Sequence, residues 1–259
     1  QLLSAIPLAT IDRIEITKGS GSVAYGDGAT AVSIQIYARP TDGVQASISA
    51  GSHGVRNLDV SAGLVGEMYD FSINASRYEQ DGFSDPDITG EKDKADSKSH
   101  SAALNIYPTD WLELQLGVDS TSIDTRYPGA ITMAEFKDDP AQNSGNTYTS
   151  QKFKTDTWNI GVKAELIPGL DFSWDFSSED KFSGFSSGFE SDYKYDTHRL
   201  TLKYVHGDLS LVIGTDIFDG VRIGATNKTH KDNSGYFIQG DYHVGETVFS
   251  AGVRNESVE

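Results

Sequence analysis

The sequence predicts an all-β chain: a transmembrane antiparallel β-barrel entered through a smaller β-unit. Three observations predict it. Apolar and polar residues alternate with a period of two, in about eleven separate stretches after residue 42. The connections between those stretches are alternately short and long. The chain is also only 37% hydrophobic, with a mean hydropathy of −0.39, and its longest apolar runs are a few residues. Membrane helices are thereby excluded, as is a signal peptide within this numbering.

The alternation can be followed strand by strand. Val44, Ala46, Ile48 and Ala50 interleave with Gln45, Ser47 and Ser49. Leu58, Val60, Ala62 and Leu64 then interleave with Asn57, Asp59, Ser61 and Gly63, and Tyr69, Phe71, Ile73 and Ala75 with Asp70, Ser72, Asn74 and Ser76. Leu112 to Val118 repeats the pattern over Glu113, Gln115 and Gly117. Trp158 to Leu166 runs over Asn159, Gly161, Lys163 and Glu165, and Leu170 to Phe176 over Asp171, Ser173 and Asp175. Leu209, Leu211 and Ile213 follow, less cleanly because of Val212, and then Tyr236 to Val244. Weaker stretches lie at 99–107, 195–205 and 247–258.

One apolar and one polar face per strand suits two architectures. In a soluble sandwich the apolar face is the core. In a membrane barrel the apolar face meets lipid and the polar face a wet lumen. The connections favour the barrel. Short turns are expected near Val65–Met68, Pro108–Asp110, Ile167–Gly169, His206–Asp208 and Gly245–Glu246, and longer loops at 80–98, 126–153, 183–192 and 219–234. Only Gly51–Gly54, the first connection, is short where the rule asks for length. Short turns at one rim and long loops at the other are the asymmetry of outer-membrane barrels. About ten residues at ~3.3 Å each, tilted by ~40°, rise about 25 Å, the height of the apolar band.

Residues 1–39 read as a separate unit, with 40–259 as the barrel. Ile11–Ile16 is a short alternating strand, Lys18–Ala29 a glycine-rich turn region, and Ser33–Arg39 a second strand. Ile11–Ile36 resembles the C-terminal end of the plug domain of TonB-dependent outer-membrane receptors. Ile11, Arg13, Ile14, Glu15, Gly19, Ser22, Tyr25, Gly26, Gly28, Ala29, Ile34 and Ile36 match the family pattern. Asp12, Lys18, Ser20, Ala31, Val32, Ser33 and Gln35 depart from it. Gly51–Gly54, Tyr78–Phe83 and Tyr127–Thr132 resemble the family's barrel more weakly.

The resemblance implies a barrel of about 22 strands closed by a plug. This chain is then expected to be an internal piece, the end of the plug and about half the barrel. Such receptors sit in the bacterial outer membrane and take up scarce large ligands: ferric siderophores or similar metal chelates, haem, cobalamin. The inner-membrane TonB complex supplies energy through a TonB box absent from this sequence. A passive porin, or a secreted β-sandwich or adhesin module, is the alternative of another class.

Composition narrows the chemistry. Lys+Arg is 21 and Asp+Glu is 38, a net charge of −17, which argues against a nucleic-acid partner. It also disfavours an anionic ligand. With no cysteine there is no disulfide framework, thiolate metal site or cysteine nucleophile. The histidines show no ligand pair at i, i+3 or i+4, and no catalytic constellation emerges, so the chain is expected not to be an enzyme and to hold no metal or cofactor of its own. Gly19-x-Gly21-x-x-Ala24 spells a dinucleotide fingerprint, but Tyr25–Gly28 is a poor helix start, so tight turns at Gly19, Gly26 and Gly28 are the better reading.

Two further groups are candidates. The loop carboxylates Asp85, Asp87 and Asp93 are weak calcium candidates, against a solvated loop partly neutralised by Lys92, Lys94 and Lys98. The resemblance implies plug–barrel contacts at Arg13, Glu15 and Lys18, with Glu165, Asp175 and Asp216 as possible partners. It also implies ligand contacts from loop aromatics: Phe83, Tyr127, Phe136, Tyr148, Phe185 and Phe189. The same rings are equally suited to packing their own loops.

Overall fold

The structure is a computed structural model that describes residues 11–18, 23, 32–38, 40–144 and 147–259. Two strands, β1 (Ile11–Lys18) and β2 (Val32–Ala38), form an antiparallel pair by themselves. Eleven strands form one sheet: β3 (Gly43–Ala50), β4 (Arg56–Val65), β5 (Tyr69–Gln80), β6 (Lys94–Thr109), β7 (Leu112–Tyr127), β8 (Thr149–Ile167), β9 (Leu170–Phe185), β10 (Glu190–His206), β11 (Leu209–Gly224), β12 (Lys228–Val244) and β13 (Thr247–Val258). Their order in space is their order in sequence, every pair is antiparallel, and the sheet is open.

Burial separates the two architectures left open by the alternation. In a sandwich the apolar stripe would be covered by a second layer. Here Val44 is 77% exposed, Ile48 83%, Tyr236 63% and Val253 64%, all on the convex face. Across the ladders this face is continuous: Val60 pairs with Ala75, Ala102 with Val118, and Ile160 with Phe176. Buried apolar side chains among the described residues are limited to Ile123, Tyr148, Ala164 and Phe237. The polar residues occupy the concave face, where they crowd one another and become half-buried. Water does not tolerate such an apolar exterior over so many strands, whereas a bilayer requires it. No helix among the described residues is long and apolar enough to cross a membrane, and the crossing elements are strands.

The short turns fall where expected. At the β8–β9 turn Pro168 sets φ and Gly169 takes φ +81°, the pairing that a type II turn requires. The opposite rim differs from expectation. The loops at 81–93 and 128–148 are real, and the second carries α1 (Met133–Asp138), started by a capping box between Thr132 and Glu135. The expected loops at 183–192 and 219–234 are instead long hairpins, turning only at 186–189 and 225–227. Their strands continue past the apolar band, so Asp180, Lys194, Asp219 and Asp232 replace apolar residues on the convex face. Alternation fades there because water wets both faces, while the hydrogen-bond ladder runs on.

Candidate ligand-binding site

The concave face toward the long-loop rim is built by β8–β12. Residues in register across these strands face the lumen together: Lys181 pairs with Tyr193, and Tyr193 with Arg222. One step below, Glu179 pairs with Tyr195, Tyr195 with Gly220, and Gly220 with Lys231. The Lys181 ammonium lies 5.0 Å from the Tyr195 ring centroid and 5.9 Å from that of Phe153, and 3.0 Å from Glu179. Thr155 Oγ1 donates to Glu179 at 2.8 Å, which holds the carboxylate against the wall. The Phe218 ring lies 5.4 Å from Tyr195, folded over Gly220, where a Cβ would meet it at 2.6 Å. At the rim, Arg222 sits 5.4 Å from the Phe189 centroid, donates to Ser191 Oγ at 3.3 Å, and Phe189 stands 6.2 Å from Phe185.

This is a wall of rings and cations, and its charge is local. On the concave face of this part of β8–β12, Lys181, Arg222 and Lys231 stand against one carboxylate, Glu179, while Asp180, Asp192, Asp196, Asp219 and Asp232 lie on the convex face of the same strands. Sequence reading reached Phe185 and Phe189 but missed Phe153, Lys181, Tyr193, Tyr195, Phe218 and Arg222. The available signal was the i, i+2 spacing of rings and cations, as in Tyr193 and Tyr195.

Below it lies a second cluster. Phe237 is 4% exposed, resting on Gly214, with the Arg199 and Arg254 guanidinium carbons 5.6 and 5.7 Å from its centroid. Asp216 bridges the two arginines, at 3.6 Å from Arg199 and 2.7 Å from Arg254, and Glu256 pairs with Arg254 at 3.0 Å. Nearby, Val23 lies against Gly252, where a Cβ would stand 2.8 Å from its Cγ1.

The other singled-out residues fall as follows. Tyr148 is buried, its N–H donating to Asp87 Oδ2 at 2.9 Å and its hydroxyl to the Asp85 carbonyl. It packs between the two loops. Tyr127 donates to Gln151 Oε1 at 3.0 Å at the end of β7, and Phe83 stands edge-on to His53, half exposed. Phe136 on α1 is also half exposed.

Asp87 Oδ1 accepts from the Thr89 hydroxyl at 2.6 Å, the Thr89 N–H at 2.8 Å and the Glu91 N–H at 3.1 Å. Asp93 Oδ1 accepts from the Ser84 N–H at 2.9 Å. Led by the Thr89 hydroxyl, these donors hold the Asp87 carboxyl well below the usual range. Among the described residues, no three His, Asp or Glu side chains are grouped to hold a metal ion.

In the β1–β2 unit, Arg13 Nε donates to Glu15 at 2.8 Å and its guanidinium lies 3.8 Å over the Tyr37 ring. Glu15 is held below its ordinary pKa, first by that bond. Lys18 is in register with Val32. Gly19, Gly26 and Gly28 lie outside the described residues. Of the barrel partners considered for the plug, Asp216 is engaged by Arg199 and Arg254, and Glu165 Oε1 accepts from the Gly169 N–H at 3.3 Å.

An open antiparallel meander with an apolar exterior and a polar, charged concave wall defines a membrane β-barrel. The particular version of that fold is the one seen in TonB-dependent receptors. The chain superposes over 98% of its length on the copper transporter OprC, with a TM-score of 0.78 and 16% identity, covering 44% of that chain. For the siderophore receptor PirA from Pseudomonas aeruginosa the TM-score is 0.75 at 13% identity, covering 98% of this chain and 44% of that one. For the ferric yersiniabactin uptake receptor FyuA from Yersinia pestis it is 0.75 at 12% identity, covering 96% and 48%. At these identities the likeness is one of fold. The chain spans about half the length of these structures. No known protein-family profile matches it.

Proposed function

We propose that this chain is part of a TonB-dependent receptor of the bacterial outer membrane that takes up a scarce, large ligand, a ferric siderophore or similar metal chelate. In this reading residues 1–39 are the end of the plug and 40–259 part of the barrel. The observation that carries it is the ring-and-cation wall on β8–β12, on the wet face and at the long-loop rim, where a ligand arriving from outside meets the protein. Rings grip the organic shell of a chelate, and cations offset its charge. Val23 against Gly252 supports contact between plug and wall, and Arg13, Glu15 and Lys18 remain the proposed polar plug contacts. Pulling by TonB on a box upstream of this sequence rearranges the plug and opens the lumen. The cycle is one of binding and release and needs no covalent step.

The test uses the full-length receptor. A deletion strain is grown under iron limitation with single ferric chelates or under copper limitation with copper salts, with and without the cloned gene. Growth that depends on the gene and on an intact TonB complex is the expected result. Gene-dependent entry that persists without TonB points to a passive pore and rejects the reading.

A further inference from the structure

We infer that the wall formed by Lys181, Tyr195, Phe218 and Arg222 selects a chelate that is both net anionic and built from aromatic rings, of the ferric tris-catecholate kind, over neutral chelates. The inference rests on the uptake reading above and narrows its ligand.

Three features carry it. First, the cations stand against rings rather than in open water: Lys181 is 5.0 Å from Tyr195, and Arg222 is 5.4 Å from Phe189. Lys181 shares its charge with Glu179 at 3.0 Å, so Arg222 at the rim carries the cationic part of the site, with Phe189 and Phe185 beside it. Second, on the concave face of this region Lys181, Arg222 and Lys231 stand against one carboxylate, Glu179, in a chain of net charge −17. Third, the groups sit on hydrogen-bonded ladders and not in loops. Lys181, Tyr193 and Arg222 are in direct register, so little ordering accompanies binding. A trianionic complex with planar rings satisfies rings and cations together. A neutral hydroxamate complex uses neither, and a bare copper ion is repelled by the cations.

The experiment measures binding of a ferric tris-catecholate, a ferric tris-hydroxamate and cupric ion to the purified full-length receptor by tryptophan quenching. The expected result is a Kd at least about tenfold lower for the tris-catecholate, weakening as salt is raised. Arg222→Gln is expected to weaken catecholate binding about tenfold and leave hydroxamate binding unchanged, with Arg222→Lys restoring part of the loss. Because salt dependence is read on the unaltered protein, a variant that misfolds does not remove the test. Equal affinity, preference for the hydroxamate or binding of copper alone overturns the ligand class and leaves uptake standing. Binding of none of the three overturns the ligand class, and gene-dependent growth then decides separately whether the uptake reading survives.

Discussion

The N–H of Tyr148 donates to Asp87 across two loops that are far apart in sequence, at 2.9 Å, and the Tyr148 hydroxyl returns to the Asp85 carbonyl. Asn143 Nδ2 adds a bond to the Pro86 carbonyl at 2.6 Å, and the Asp85 N–H one to Ala141 at 2.7 Å. The loops 81–93 and 128–148 are therefore one body. Replacing Asp87 with Ala is expected to speed hydrogen exchange at Thr89, Glu91 and Tyr148 together. Unchanged protection at Tyr148 would show that the loops stand separately.

The same carboxyl gives a pH dependence with a definite sign. Its folded pKa lies below the ordinary value, so its contribution is complete above about pH 4 and is lost as pH falls through the folded value. Loop docking is expected to hold at neutral pH and loosen only in strong acid. Exchange corrected for intrinsic rates, compared between the native receptor and Asp87→Asn, reads this directly: the acid sensitivity should be absent from the variant.

Gly214 is the seat of Phe237. A Cβ there would meet the Phe237 ring at 2.5 Å and the Leu200 carbonyl oxygen at 2.8 Å. Gly214→Ala is expected to cost about 1–3 kcal/mol through forced repacking. The urea midpoint of the full receptor in lipid vesicles measures it, and an unshifted midpoint contradicts the close fit.

Arg254, only 9% exposed in its side chain, holds Asp216 and Glu256 at once. Arg254→Ala removes the cation shared by two half-buried carboxylates, leaving Asp216 to the longer Arg199 contact at 3.6 Å, and is expected to cost about 2–3 kcal/mol. Adding Asp216→Asn should recover part of that loss, which a double-mutant cycle on the unfolding midpoint measures.

Leu116 is 43% exposed on the convex face and Gln115 faces the lumen beside it. In water an exposed leucine tolerates a charge. In lipid Leu116→Arg is expected to cost about 2–4 kcal/mol, while Gln115→Arg costs far less. Equal effects on refolding into vesicles would mean that the convex face does not meet hydrocarbon.

Strand number and the turns of one rim were legible because the bilayer imposes a period of two and the rim needs tight turns. Pro168–Gly169 could be placed from residue types alone. The β9–β10 and β11–β12 hairpins were not legible above the band, since Lys194, Asp219 and their neighbours lie in water and carry no hydropathy signal. The ring-and-cation wall was hidden for a related reason. Lys181, Tyr193 and Arg222 meet only through the register of three strands, and that register depends on turns misread as loops. The packing of Tyr148 between two loops was one of two readings open in the sequence, because a loop aromatic that packs its own loop looks there like one that waits for a ligand.

Strictly sequential strand order has a consequence for how the sheet is made. Every ladder from β3 to β13 joins chain neighbours, so each seam is a local hairpin and the widest gap spanned is that between Tyr127 and Thr149. The entropy of closing such gaps grows only with the logarithm of their length. The sheet can thus grow by adding one strand to an existing edge, each addition presenting the template for the next. The edge open at any moment is the liability that assembly must protect.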